Sequence, residues 1–163
     1  MKTLIIIRHS KSSWKNANLS DHQRPLNKRC NNDARLISDF LSNLISNVDV
    51  LHCSSSERTR ETADYFIEKI NFNNCKYDDD LYHISSESLL KIIKNYNSDI
   101  NSLMIVAHNP GLTNFVNLMT DLALWNLPTT GMLVINFDVD SWEMIDKSNG
   151  NIFCKKFPKE LKK

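Results

Sequence analysis

Glycine is almost missing from this chain of 163 residues, with three in all, and there are only four prolines. Asparagine is abundant, a compositional bias with no functional message of its own. Cysteine is sparse and dispersed. Cys30, Cys53, Cys75 and Cys154 form no C-x-x-C and pair with no histidine at zinc spacing, so they are read as reduced, structural thiols and no metal site is expected. No run approaches the roughly 18 apolar residues of a membrane span. Arg8 stops the first apolar stretch short of the roughly 7 to 15 residues that a signal peptide core needs. Charge of one sign is also lacking: the formal net charge is +1 and the pI about 7.7. That balance excludes a strong field for nucleic acid or an anionic membrane, and Lys155, Lys156, Lys159, Lys162 and Lys163 read as a solvated tail. The expectation is a cytoplasmic, monomeric protein with no nucleic-acid or membrane partner and no cofactor.

One domain over residues 1–163 is expected, since a chain of this length buries roughly 70% of its unfolded surface without help from a cofactor. No internal repeat, low-complexity linker or second domain is visible. Apolar runs at Leu4 to Ile7, Val48 to Cys53 and Leu103 to Ala107 predict buried strands, with a shorter one near Cys75 to Tyr77. Spacing of three to four residues predicts amphipathic helices over 27–47, 57–70 and 85–97, and Pro110 suits the first position of another ending near Thr120. Ser54-x-x-Glu57 matches a capping box for the second helix. Leu133 to Val139 and Trp142 to Ile145 alternate in strand fashion around a turn near Asp140-Ser141, which predicts a hairpin at one sheet edge. The order β-α-β-α-β-α-β-α-β-β implies an α/β fold, a three-layer α/β/α sandwich around a mostly parallel sheet.

Three of these strands break in the same manner. Leu4-Ile5-Ile6-Ile7 runs into Arg8-His9, Val48 to Cys53 into Ser54-Ser55-Ser56-Glu57-Arg58, and Leu103 to Ala107 into His108-Asn109-Pro110-Gly111. A buried strand cannot continue through ionisable side chains without partners for them. Ligands of open α/β sheets bind at the carboxyl ends of parallel strands, so Arg8, His9, Arg58 and His108 are expected in one crevice. Arg58 falls in the first turn of a helix, where the dipole disfavours a cation, and an anion bound nearby removes the conflict.

Two arginines offer planar donors to phosphoryl oxygens, and a neutral imidazole attacks phosphorus at pH 7 without a separate base. His9 and His108 are both candidate nucleophiles, and the charge of Arg8 is expected to lower the pKa of His9. The backbone at Asn109-Pro110-Gly111 offers N–H groups to an anion. Lys11, Ser12 and Asn109 are candidate substrate-binding residues, with residues 10–26 forming a polar loop that shapes access. Pairing of Arg58 with Glu57 or Glu61 on the surface is the bland alternative. The run Asp78-Asp79-Asp80 reads as a solvated loop.

Arg8-His9-Ser10-Lys11-Ser12, Ser54-Ser55-Ser56-Glu57-Arg58-Thr59-Arg60-Glu61-Thr62-Ala63 and Val106-Ala107-His108-Asn109-Pro110-Gly111 together resemble the signatures of the histidine phosphatase superfamily. Lys11, Ser12, Trp14, Asp21, Arg24, Pro25 and Leu26 make the chain most similar to its SixA-type phosphohistidine phosphatases. The resemblance implies a phosphoglycerate mutase-like fold, His9 as nucleophile, and Arg8, Arg58 and His108 as the phosphate pocket. It implies a substrate that is a phosphohistidine-bearing protein, such as a phosphorelay component, or a small phosphorylated molecule. Two departures stand out besides Ser10, where glycine is frequent. Cys30 replaces a glycine often found after the Arg24-Pro25-Leu26 stretch, and Asp78, Asp79, Asp80 and Glu87 give no convincing match to the carboxylic acid that many members place after the second motif.

That missing acid suits a phosphoramidate. An alkoxide needs a proton donor to depart, whereas phosphohistidine protonated on its second ring nitrogen releases neutral imidazole. The short chain leaves little for a lid, so an open cleft that admits a histidine on another protein is expected. The alternatives are a small-molecule phosphomonoesterase and a non-catalytic module that binds a phosphoprotein.

Overall fold

Alternate residues of the first strand point to opposite sides of a sheet, and each side is covered by its own pair of helices. In the computed structural model, which describes residues 1–28 and 31–163, β1 (Lys2–Arg8) sends Leu4 and Ile6 to one face and Ile5 and Ile7 to the other. All four are fully buried, each contributing roughly 1.5–3 kcal/mol relative to exposure.

Along the chain follow α1 (Asn31–Ser42), β2 (Asn47–Ser54), α2 (Glu57–Ile67), β3 (Asn71–Asp78), α3 (Ser86–Lys94), β4 (Ser102–Ala107), α4 (Gly111–Met119), β5 (Met132–Phe137) and β6 (Gly150–Lys156). The six strands form one sheet in the order β3-β2-β4-β1-β5-β6. The β3, β2, β4 and β1 strands are parallel, while β5 and β6 are antiparallel. Ile37, Leu41, Ala63 and Phe66 of α1 and α2 cover one face. Leu89, Ile93, Leu112, Phe115 and Val116 of α3 and α4 cover the other, giving the three-layer α/β/α arrangement.

Three details depart from the sequence pattern. Trp142 to Ile145 is no strand: Trp142–Met144 is a 3₁₀ turn closed by the Met144 N–H on the Ser141 carbonyl. Trp142 is fully buried there, its indole N–H donating to the Ile100 carbonyl at 2.7 Å. The sheet is completed instead by Gly150–Lys156, so Lys155 and Lys156 belong to an edge strand and not to a tail. An edge strand is half solvated and tolerates lysine, which hides its alternation. The Ser54-Glu57 capping box does not form, because Ser54 ends β2 and Ser56 takes the N-cap position. Cys53, Cys75 and Cys154 are free thiols, and Cys30 lies outside the described residues.

No helix among the described residues is long and apolar enough to cross a membrane.

Candidate active site at the carboxyl edge of the sheet

Strand register assembles the site. Arg8 of β1 lies beside Ala107 of β4, and Cys53 of β2 beside Val106, so His9, Ser54 and His108 leave the sheet along one edge. Arg58 enters from the first turn of α2. The rings of His9 and His108 lie 5.1 Å apart at 55°, and Arg58 Nη2 is 3.4 Å from His108 Nδ1. His9, Arg58 and His108 are buried, at 8%, 5% and 3% exposure, and Arg8 is half-buried.

Hydrogen bonding fixes both tautomers. His9 Nδ1 lies 2.7 Å from the Ser10 carbonyl oxygen, which only accepts. The proton is therefore on Nδ1, and Nε2 keeps its lone pair. His108 Nδ1 faces the Arg58 guanidinium, which only donates, so the His108 proton is on Nε2 and goes to Ser54 Oγ at 2.8 Å.

Burial is the main cause that pushes His9 down to about 4. The positive charges of Arg58 and then Arg8 add to it, while the bond to Ser10 and the charge of Asp21 oppose it. The cause inferred from sequence, Arg8, is thus the smallest of the three that lower it. Burial, followed by the influence of His9, Arg58 and His83, pushes His108 down to about 2. Both rings are neutral at pH 7.

The arginines are held from two sides. Arg8 Nη1 donates to the Leu127 carbonyl at 2.9 Å, while its buried Nε has no hydrogen-bond partner among the described residues. Arg58 does not pair with Glu57 or Glu61 on the surface. Its Nη1 donates to the Asp21 carbonyl at 2.6 Å and its Nη2 to Asp21 Oδ2 at 3.0 Å. Asp21 is the anion that the helix dipole calls for at Arg58. Its other oxygen accepts from Arg24 Nη1 at 2.9 Å, and the Tyr82 hydroxyl donates to Oδ2. Tyr82 first, then Arg58 and Arg24, hold the Asp21 carboxyl well below the usual carboxylate range against the upward pull of partial burial. Burial and Asp21 push Tyr82 upward, so it keeps its proton to donate.

The backbone between β1 and residues 10–26 is pinned. Ser10 N–H donates to Thr62 Oγ1 at 2.9 Å, Ser10 and Thr130 hydroxyls meet at 2.6 Å, and Thr130 N–H donates to the Arg8 and His9 carbonyls. A serine at position 10 is thereby integrated where a glycine has no side chain to offer.

The substrate-binding candidates do not all converge. Asn109 precedes a cis bond to Pro110, and its side chain is consumed structurally. Its amide donates to Asn126 Oδ1 and the Leu127 carbonyl, and its Oδ1 accepts from Thr113. Ser12 Oγ accepts from Arg24. Lys11 is exposed, and its carbonyl accepts from Asn27 N–H. Asp78 pairs with buried His52, Asp79 accepts from Ser55, and Glu87 is exposed on α3. Sequence reasoning left out Ser54 as a partner of His108, and Tyr82 and His83 at the mouth. Their signal was position: Tyr82-His83 follows the carboxyl end of β3, on the edge that carries the other strand-end residues.

Among the described residues no three His, Cys, Asp or Glu side chains are grouped to hold a metal. A cleft of about 590 Å³ lined by His83, Ser86, Glu87, Pro110 and Asn114 adjoins the cluster, and one of about 530 Å³ runs along Tyr82, His83, Ser85 and Lys91. A hollow of about 980 Å³ near Tyr96 and Ser141 holds none of the cluster. A neutral imidazole with a free lone pair, beside two guanidiniums, can both hold an oxyanion and attack it.

Residues 4–87 match the family described as histidine phosphatase superfamily (branch 1). An uncharacterised chloroplast protein of Arabidopsis thaliana is 30% identical over 156 residues, covering 87% of this chain and 69% of that protein. SixA from Nakamurella multipartitia superposes with a TM-score of 0.83 at 20% identity, over 96% of both chains. The protein histidine phosphatase SixA complexed with tungstate gives 0.78 at 19% identity, over 98% of this chain and 99% of that one. These structural likenesses establish a shared fold.

Proposed function

Because the chain belongs to the histidine phosphatase superfamily, branch 1, we propose that this enzyme removes the phosphoryl group from a histidine of a partner protein, through a phosphohistidine intermediate on His9. The observation that carries this reading is the His9 tautomer: a buried, neutral ring whose Nδ1 is bonded to the Ser10 carbonyl and whose Nε2 is free to attack. In the first step the Nε2 lone pair forms a bond to phosphorus, and the bond from phosphorus to the substrate nitrogen breaks, its electron pair returning to that nitrogen. Arg8 and Arg58 hold the phosphoryl oxygens as charge develops on them, and His108, fixed by Ser54, sets the position of Arg58 through Nδ1. In the second step water attacks phosphorus, the bond to Nε2 breaks, and His9 recovers its lone pair while the proton of water leaves with phosphate or to solvent.

The leaving group decides between substrate classes. The carboxylate nearest the cluster is Asp21, which is ionised and has no proton to give. Asp78, Asp79 and Glu87 are engaged elsewhere or exposed. A phosphoramidate departs without such a donor, and an alkyl phosphate does not. The clefts at Tyr82 and His83 leave room for a side chain carried on another protein.

The test is phosphate release from a phosphohistidine-bearing protein and from p-nitrophenyl phosphate, comparing wild type with His9→Ala in the presence of a chelator. Release that depends on His9, resists the chelator and favours phosphohistidine is expected. Release from the ester alone would move the assignment to a small-molecule phosphatase, and release from neither would favour a binding module.

A further inference from the structure

We propose, resting on the phosphohistidine reading above, that Asp21 selects the leaving group: its carboxylate accepts a hydrogen bond from the distal ring N–H of a phosphorylated imidazole and repels groups that leave as oxyanions. The ordering of exposure from the interior outward carries the argument. Arg58 and His108 are buried, the Asp21 side chain is 44% exposed, and the His83 side chain is 64% exposed. With phosphoryl oxygens held by Arg8 and Arg58 and the attacking nitrogen on His9, an in-line leaving group extends outward, where it meets Asp21, Tyr82 and His83.

Those three present one anion and two flat rings. Tyr82 packs edge-on against His108 at 5.3 Å and lies 3.9 Å from the His83 ring, with His22 edge-on to it at 5.0 Å. His83 keeps this place with a φ of 57°, a left-handed conformation that a non-glycine residue adopts at some cost and that is concentrated at functional positions. An aromatic wall next to a carboxylate fits a planar heterocycle bearing an N–H. It does not fit the growing negative charge of an alkoxide.

Asp21 has acceptor capacity left. A carboxylate offers about four acceptor positions. Oδ2 is used by Arg58 and Tyr82, whereas Oδ1 is used by Arg24, leaving one position on Oδ1. The groups that face the carboxylate are Arg24, Arg58, Tyr82 and, at 3.9 Å, His83. The three donors keep it ionised, hence an acceptor and never a donor.

The step balances without further reagents. His9 Nε2 bonds to phosphorus as the phosphorus–nitrogen bond breaks, and that bond's electron pair stays on the substrate nitrogen. The distal N–H remains on the departing ring against Asp21, so the ring leaves as neutral imidazole.

The experiment measures kcat/KM on a phosphohistidine peptide and on p-nitrophenyl phosphate for wild type, Asp21→Asn, Asp21→Glu and Tyr82→Phe, with thermal unfolding of each variant as the folding control. Asp21→Asn is expected to lower the ratio of phosphohistidine to ester activity about ten- to a hundredfold, the worth of a hydrogen bond to a charged group. Asp21→Glu restores part of the ratio. The phosphohistidine rate of Asp21→Asn also declines at lower pH than that of wild type, because the bound ring loses its distal proton sooner. Tyr82→Phe, which removes only an aligning bond, lowers the ratio by a smaller factor and covers the case in which Asp21→Asn does not fold. Equal losses on both substrates in these variants would overturn the role of Asp21, reducing it to a brace for Arg58, and leave the function standing. A wild type that cleaves the ester and ignores phosphohistidine would overturn the function itself, and this inference with it.

Discussion

His9 and His108 face each other with ring centroids 5.1 Å apart, yet each gives its single proton to a different neighbour, His9 to the Ser10 carbonyl and His108 to Ser54 Oγ. Two charged imidazoles at that separation beside two arginines would repel strongly, so the pair is stable only as two neutral rings. The activity of the site follows from that neutrality. The kcat/KM on an acid-stable aryl phosphate is expected to lose activity on the acid side only as His9 takes up a proton near pH 4. An acid limb centred near 6.5, the ordinary histidine value, would show that the nucleophile is not this buried ring.

Folding stability should respond over a wider window. The folded-state pKa values of His9 and His108 lie below the unfolded 6.5, and that of buried His52 is lowered too. Between 6.5 and about 4 the unfolded chain therefore binds more protons than the folded one, so stability is full above 6.5 and falls as the pH drops through this window. Asp21, depressed below 3.8, adds its loss only at lower pH, and Glu61 and Asp64, raised by burial, oppose the trend near the carboxylate range. Melting temperatures measured at pH 7.5, 6.5, 5.5 and 4.5 should decline stepwise below 6.5, with His52→Phe or His108→Asn making the decline shallower. A flat profile in wild type would contradict the burial of these histidines as neutral rings.

The strand-end signals were local, which is why they were readable. An apolar run that stops at Arg8-His9 or at His108 announces an exit from the sheet, and the parallel order follows from alternation of strands and helices. What escaped depends on distance in sequence. Arg58 and Asp21 are 37 residues apart, and nothing near either one says that they pair. Ser54 was read as a cap for α2 because serine three residues before glutamate fits that motif. Its hydroxyl instead answers His108, 54 positions away. Trp142 to Ile145 alternated as a strand would, but the indole reached the Ile100 carbonyl and the chain folded into a turn.

Ser54→Ala tests the His108 tautomer directly. The substitution removes the acceptor of a buried N–H without enlarging the residue, and an unsatisfied buried donor costs about 1–3 kcal/mol. Stability should fall by that amount in denaturant titrations. The His108 ring, no longer fixed, should also lose its place beside Arg58, lowering kcat about tenfold or more with a smaller change in KM. Ser54→Thr, which keeps the hydroxyl, should recover most of the activity. A Ser54→Ala variant with wild-type kcat would remove the Ser54–His108 bond from any role in aligning the phosphate pocket.

Gly111 opens α4 directly after His108-Asn109-Pro110, and it is one of three glycines in the chain. A Cβ at this position would lie 2.1 Å from the carbonyl oxygen of Ile84, a backbone atom that cannot step aside as a side chain can. Either α4 retreats or the segment 82–84 does. Since Tyr82 and His83 come from that segment and His108 precedes α4, both responses displace residues of the site. Gly111→Ala is expected to cost about 1–3 kcal/mol, the usual penalty for overpacking, and to reduce kcat/KM by more than the loss of folded protein accounts for at 25 °C. The separation is made by measuring activity per folded molecule, with the folded fraction taken from the denaturant curve at the same temperature. An Ala variant that is destabilised but fully active per folded molecule would show that α4 yields without moving His108, and that the close packing of Gly111 on Ile84 serves the fold alone.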